Sequence, residues 1–180
     1  MNIGFYIKWN KNSINSSKNV IGDELYAESL CKSINKQYKS IRAELYAPNY
    51  LPDKKLDALI YLNDSPPNEN FSKHHFLYLQ NGYEDSIDQI ISSRLALEYD
   101  GYIFFSEIIK NVFDEKAHNL AKSLFLPFGV DLDLFYPREK DNRFNFECAF
   151  IGNDIKGSES AMKYLFPAVE FNFGLYGNWK

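Results

Sequence analysis

A few residues in this chain have the types and spacings that can do chemistry. Gly152 and Asn153 close an apolar run. A glycine at a strand end lets a backbone approach a phosphate closely, and the next helix N-terminus favours negative charge. A tight turn that needs a positive φ would place glycine there equally well. Gly22 and Asp23 stand where a helix opens, and an aspartate there ordinarily caps the helix. His74 and His75 carry the side chain that titrates near neutral pH. Alternation along a strand sends one to each face, one solvated and one packed. His118 lies in a polar helical stretch and reads as surface. Asp131 and Asp133 are carboxylates with no further ligand converging on them in sequence, so turn and capping bonds explain them more simply than a metal. No nucleophile triad, zinc cluster, P-loop or G-x-G-x-x-G fingerprint occurs.

The elements that must position these residues follow from periodicity. Residues 2–8 form a near-continuous apolar run, the pattern of a buried parallel strand. A polar loop leads to a helix from Gly22 to about Gln37, with Ala27, Leu30, Cys31 and Ile34 inward. Strands are expected over 41–46, 56–62, 75–79, 102–105 and 123–126. Helices are expected over 86–98, with Ile87, Ile90, Ile91 and Leu95 inward, and after Ser106, with Ile108, Ile109, Val112 and Phe113 inward. Residues 114–122 either extend that last helix or start another. Farther on come strands over 146–151 and 171–176, around a helix over 158–166. Strands alternating with helices predict an α/β, doubly wound parallel sheet.

In such a sheet, ligands bind beyond the carboxyl ends of the strands. That rule selects Lys8, Trp9 and Asn10 after the first strand, and Asn63 and Asp64 after the third. It selects Gln80 and Asn81 after the fourth, Ser106 and Glu107 after the fifth, and Phe128 and Gly129 after the sixth. Beyond these it selects Gly152, Asn153, Gly177 and Asn178. The Asn- and Ser-rich loop over 10–17 can hold a sugar or a phosphate, or simply be surface.

The stretch Leu126-Pro127-Phe128-Gly129-Val130-Asp131-Leu132-Asp133-Leu134-Phe135-Tyr136-Pro137 joins two such patterns. It resembles the interdomain segment of two-domain (GT-B type) glycosyltransferases. Phe150-Ile151-Gly152-Asn153 and Leu175-Tyr176-Gly177-Asn178-Trp179 resemble the first strands of the nucleotide-sugar domain in the spore-maturation (CgeB-like) group of those enzymes. Ile3-Gly4-Phe5-Tyr6, with Gly22-Asp23 and Ala27-Glu28-Ser29-Leu30, resembles its first strand and helix.

The resemblance implies a Rossmann-like acceptor-side domain over 1–136, then over 137–180 a linker and the incomplete start of a second Rossmann-like domain. It implies transfer of a sugar from a nucleotide-sugar donor, UDP- or GDP-linked, with no bound cofactor and no metal. The Gly152-Asn153 loop would line the donor pyrophosphate. Asp23 would border the cleft and act as general base toward the acceptor hydroxyl. The missing remainder of the second domain implies a chain that does not transfer sugar alone. The other reading is a non-catalytic glycosyltransferase-like scaffold that a partner, or a second copy, completes through the open second-domain edge.

Composition sets the outer limits. At 180 residues one domain is expected, with room for a further fragment. A net charge of −4 without a basic block argues against nucleic acid as a partner. The aromatic share of 17% suits core and half-buried strand positions first, and an aromatic-lined sugar cleft second. Cys31 and Cys148 are far apart and at apolar positions, so both are expected as buried free thiols in a reducing, cytoplasmic setting. The N-terminus lacks a signal-peptide pattern, and no apolar run reaches the ~20 residues of a membrane span. A flavodoxin- or receiver-like single domain also fits the length. The first loop, however, has no glycine to hug a flavin phosphate and no paired acids for a receiver.

Overall fold

The computed structural model describes residues 1–12, 22–79, 87–95, 97–117, 121–152 and 158–177. The chain divides into two compact units, Met1–Asp131 and Leu132–Lys180.

The first unit contains β1 (Asn2–Tyr6), α1 (Gly22–Gln37), β2 (Arg42–Tyr46), β3 (Leu56–Tyr61) and β4 (Ser72–Leu79). It continues with α2 (Ile87–Leu95), β5 (Gly101–Phe104), α3 (Glu107–Lys116) and β6 (Ser123–Phe125). Every pairing is parallel, in the order β2-β1-β3-β4-β5-β6. The chain leaves β1 toward β2 and then crosses back to β3, so the strand order reverses between β1 and β3.

Side-chain alternation builds a core on each face. Ile3, Phe5, Ala43 and Leu45 pack with Ala27 and Cys31 of α1. On the other face Leu59, Tyr61, Leu77, Tyr102 and Phe104 pack with Ile91 of α2 and with Ile109 and Phe113 of α3. Helices therefore cover both faces, which is why the strands read as apolar runs rather than as alternating patterns.

Local chemistry sets the element ends. Ser106 is extended and its Oγ accepts from Ile109 N at 3.5 Å, capping α3. Asp23 and Glu24 in the first turn of α1, and Lys36 in its last, complement the helix dipole. Two expectations need correcting here. Ile108 is not inward but 75% exposed, because the stripe of Ile109 and Phe113 leaves its neighbour ~100° round the helix. Strand β4 starts at Ser72, three residues earlier than expected. Ser72 pairs with Leu56, and its hydroxyl donates to His74 O at 2.9 Å, while exposed Lys73 and His74 hide the strand pattern. Helix α3 ends at Lys116, and His118 lies outside the described residues. So do the side chains of Ile87 and Ile90, whereas Ile91 is buried and Leu95 half-buried.

Cys31 is buried, and burial, with help from Glu44, pushes its thiol up to about 12. Cys148 is only half-buried, against the expectation of two buried thiols. A thiol reagent on the native chain is therefore expected to titrate Cys148 alone, with Cys31 appearing only in denaturant. Release of both equivalents from native protein would contradict the packing under α1.

The second unit has β7 (Cys148–Ile151), α4 (Ser158–Tyr164) and β8 (Phe173–Tyr176), with β7 and β8 parallel. The Phe146 ring packs on Gly174, where an added Cβ would sit 2.8 Å from it. Asp141 caps a single 3-10 turn over Asn142–Phe144 and binds the Arg143 guanidinium at 2.6 Å. No helix among the described residues is long and apolar enough to cross a membrane.

Candidate functional site

Where strand order reverses, the sheet opens a crevice at the carboxyl ends of the two strands concerned, here β1 and β3. The start of the loop leaving β1 is anchored to the segment after β2 and to α1. Lys11 N donates to Asn49 Oδ1 at 2.7 Å, Asn49 Nδ2 donates back to Lys11 O at 3.3 Å, and the Lys11 ammonium lies 4.4 Å from the Tyr50 ring centre. Asn12 takes a left-handed φ of 67°, which asparagine tolerates better than most residues. Its N–H donates to Glu24 Oε1 at 2.5 Å. Glu24 is only 2% exposed, and its Oε2 has no partner among the described residues. A buried carboxylate thus ties the loop to the first turn of α1.

Asp23, one residue earlier, is half-buried. Burial raises its carboxyl pKa above the ordinary value, and the neighbouring Lys8 charge partly offsets the shift. A carboxyl tuned upward is better matched to proton transfer near neutral pH than an exposed one. The Lys8 ammonium sits 5.3 Å from the ring centre of Trp9, which is exposed, as are Asn10 and Gly22. Lys8 thus interacts with both Trp9 and Asp23, and no atom of the described residues lies within 4 Å of a Cβ built on Gly22.

Other candidates are held by structure. Asn63 Nδ2 donates to Tyr6 O at 3.1 Å, and its Oδ1 accepts from both the N–H and the hydroxyl of Ser65. It staples β3 to β1 and shapes the turn that follows. Ser106 serves as the cap of α3, and Glu107 is exposed. Phe128 stacks on Phe105 and meets Tyr26 edge-on, each at 5.2 Å between centres. Gly129 has open space around it and no positive φ, so nothing in its surroundings demands glycine.

In the second unit Gly152 N donates to Tyr176 O at 2.9 Å, which places Gly152 and Gly177 side by side at the carboxyl ends of β7 and β8. Gly152 has no positive φ, so the tight-turn explanation fails; an added Cβ would lie 2.7 Å from the Phe150 ring. Gly177, at φ 127°, is the position whose backbone requires glycine. Gln80, Asn81, Asn153 and Asn178 lie outside the described residues. Among the described residues no cluster of three His, Cys, Asp or Glu side chains could hold a metal ion.

The two histidines divide as alternation expects: His74 exposed, His75 7% exposed. Burial lowers the His75 pKa below 6.5, against an opposing pull from Asp100. The unfolded chain then binds a proton more readily than the folded one. The stabilisation is complete above pH 6.5 and is lost as pH falls through the lower folded-state value. Urea midpoints measured from pH 7.5 down to 5 are expected to fall, and His75→Phe is expected to flatten that part of the slope whatever its own stability. An unchanged slope in the variant would remove His75 as the cause.

Glu24 is the residue here that sequence reasoning passed over. Its signal is positional: 24, 27 and 31 form one inward stripe, so the acid before Ala27 and Cys31 had to be buried. A second unforeseen feature is the hydroxyl chain in which Tyr26 OH donates to Tyr78 OH at 3.2 Å and Tyr78 OH donates to Leu126 O at 2.8 Å. It fixes the end of β6 against the α1 face.

The first unit is thus a Rossmann-like α/β domain whose crevice lies at β1 and β3. Comparison with protein-family models, with curated proteins and with solved structures gives no significant match.

Proposed function

We propose that the chain belongs to the machinery of a nucleotide-sugar-dependent glycosyltransferase, with the first unit as the acceptor side. The observation that carries this reading is where the chain divides. The break between Asp131 and Leu132 falls inside the segment that resembles the interdomain connector of such enzymes. Parallel strand pairing on both sides of the break supports it. Asp23 is the general base that takes the acceptor hydroxyl proton. Lys8 and Trp9 line the acceptor mouth. The Gly152–Gly177 edge approaches the donor diphosphate with backbone N–H groups, the usual means of stabilising a departing anion. The donor is a UDP- or GDP-sugar.

Backbone amide NMR tests the assignment of sides. An acceptor-like hexoside is expected to shift Trp9, Asn10 and Asp23 first, and UDP or GDP to shift Gly152 and Gly177 first. Shifts confined to neither group would sink it.

A second reading, a non-catalytic scaffold of the same fold, is favoured by one observation. In the second unit Ile151 is 81% exposed, and Tyr164, Phe166 and Phe171 are exposed too. A two-stranded parallel sheet with such a surface calls for added strands from a partner or a second copy.

A further inference from the structure

The two edges of the six-stranded sheet are finished differently. On β2, Arg42 N donates to Met1 O at 2.9 Å and Ile7 N donates to Tyr46 O at 3.1 Å, so residues 42, 44 and 46 face β1 while Ala43 and Leu45 face outward. Those outward positions are closed. The Asn35 side chain reaches across from α1 and mimics a neighbouring strand. Its Oδ1 accepts from Ala43 N and its Nδ2 donates to Ala43 O, each at 2.8 Å. Leu45 is 3% exposed. Just beyond, Ala47 exchanges both of its backbone bonds with Tyr50. An edge sealed in this way is barred to further strands.

Strand β6 has no such seal. Tyr102 N donates to Lys122 O at 2.9 Å and Leu126 N donates to Phe104 O at 2.8 Å, so residues 122, 124 and 126 face β5. Ser123 and Phe125 therefore turn their backbone N–H and C=O groups away from the sheet, and no described residue bonds to those groups. The strand is nonetheless held at both ends. Ser123 Oγ donates to Asp114 Oδ1 at 2.6 Å, and Tyr78 OH donates to Leu126 O at 2.8 Å. An ordered edge with open groups pairs at a low ordering cost. Leu124, Phe125 and Leu126 along it are all exposed.

We propose that a second copy of the chain pairs with β6, antiparallel, about a twofold axis through Leu124. The open residues select this partner. Ser123 and Phe125 flank Leu124, so the axis sets Ser123 of one copy opposite Phe125 of the other, and each such pair exchanges both of its backbone bonds. None of these groups is left over. The same register sets the two Leu124 side chains against each other at the closer, non-hydrogen-bonded spacing of about 4.5 Å between Cα atoms. Lys122 then lies opposite Leu126, whose apolar surface its methylene stem covers, and no like charges face one another. A strand of another protein would have to bring this match with it, whereas a second copy already carries it. The inference is independent of the transferase reading, because it rests on hydrogen bonds within the first unit.

Light scattering coupled to size-exclusion chromatography, over a micromolar dilution series of the full chain, is expected to show a monomer–dimer equilibrium. Phe125→Pro removes an outward N–H that β5 does not use, so the sheet is expected to survive, which circular dichroism checks. The twofold axis doubles the loss, and dimerisation is expected to weaken by about tenfold or more. Crosslinking reads the register without altering the edge backbone. In a Cys148→Ser background, which leaves only buried Cys31, Leu124→Cys is expected to give a disulfide-linked dimer on mild oxidation, because Cα atoms about 4.5 Å apart are within disulfide reach. Leu132→Cys, exposed but off the edge, is expected to stay mostly monomeric. A parent that is monomeric throughout the series overturns the proposal. So does a dimer that a folded Phe125→Pro keeps at full strength, which would move the contact to the second unit. Crosslinking of Leu124→Cys no better than that of Leu132→Cys overturns it as well.

Discussion

Gly4→Val is expected to cost the first unit about 3 kcal/mol or more, and Gly4→Ala about 1–2 kcal/mol. Strand β1 runs between β2 and β3, and a Cβ on Gly4 would come within 2.6 Å of Leu59 Cδ1 and 2.8 Å of both Leu56 Cδ1 and Tyr46 Cδ2. Any one of these side-chain ends could yield alone. Together they belong to the core under α2 and α3, where Leu59 is fully buried, so relief on one side presses on another. Total stabilities of domains lie near 5–15 kcal/mol, so valine here leaves little margin. Gly22→Ala is the matching control: no atom of the described residues lies within 4 Å of the added Cβ, and a change below about 1 kcal/mol is expected. Urea midpoints followed by circular dichroism decide it. A Gly4→Val chain as stable as the parent would mean that β1 is not packed between β2 and β3 against Leu59 and Tyr46.

The second large effect concerns turnover. If the proposed transferase reading holds, Asp23→Asn in the complete enzyme is expected to lower kcat by roughly 10²–10⁴, the usual worth of a positioned general base. Nucleotide affinity should stay within about twofold, because the substitution touches the acceptor side. A base must be deprotonated to act, so activity falls as pH drops through the Asp23 pKa. Burial places that limb above 3.8, and Lys8 restrains how far it rises. Lys8→Ala is therefore expected to move the acid limb upward. A parent-like kcat in Asp23→Asn would reduce Asp23 to a residue of the helix start.

Much of this fold could be read from the sequence, and the reasons are specific. Apolar runs such as Ile3 to Ile7 have one physical explanation, a strand covered on both faces, and the helices that cover them carry clean 3.6-residue stripes. The start of β4 was hidden because Lys73 and His74 are polar yet lie within the strand, between paired Ser72 and His75. Burial of Ile108 was wrongly expected because hydrophobicity alone does not say which side of a stripe a flanking residue takes. At the site, the carboxyl-end rule selected Lys8, Trp9 and Asn10 and treated Asn63 alike, although its amide is committed to Tyr6 O and Ser65; Asp23 came from the helix start instead.

The most direct measurement is isothermal titration of the chain with UDP, GDP and their hexose conjugates, with size-exclusion chromatography of the same sample. The account predicts one-to-one binding of one nucleotide class, lost in Gly152→Val, whose side chain would crowd the Phe150 ring at the edge of β7 and β8. A folded, monodisperse chain that takes up none of these nucleotides would contradict the transferase reading and leave the scaffold in its place.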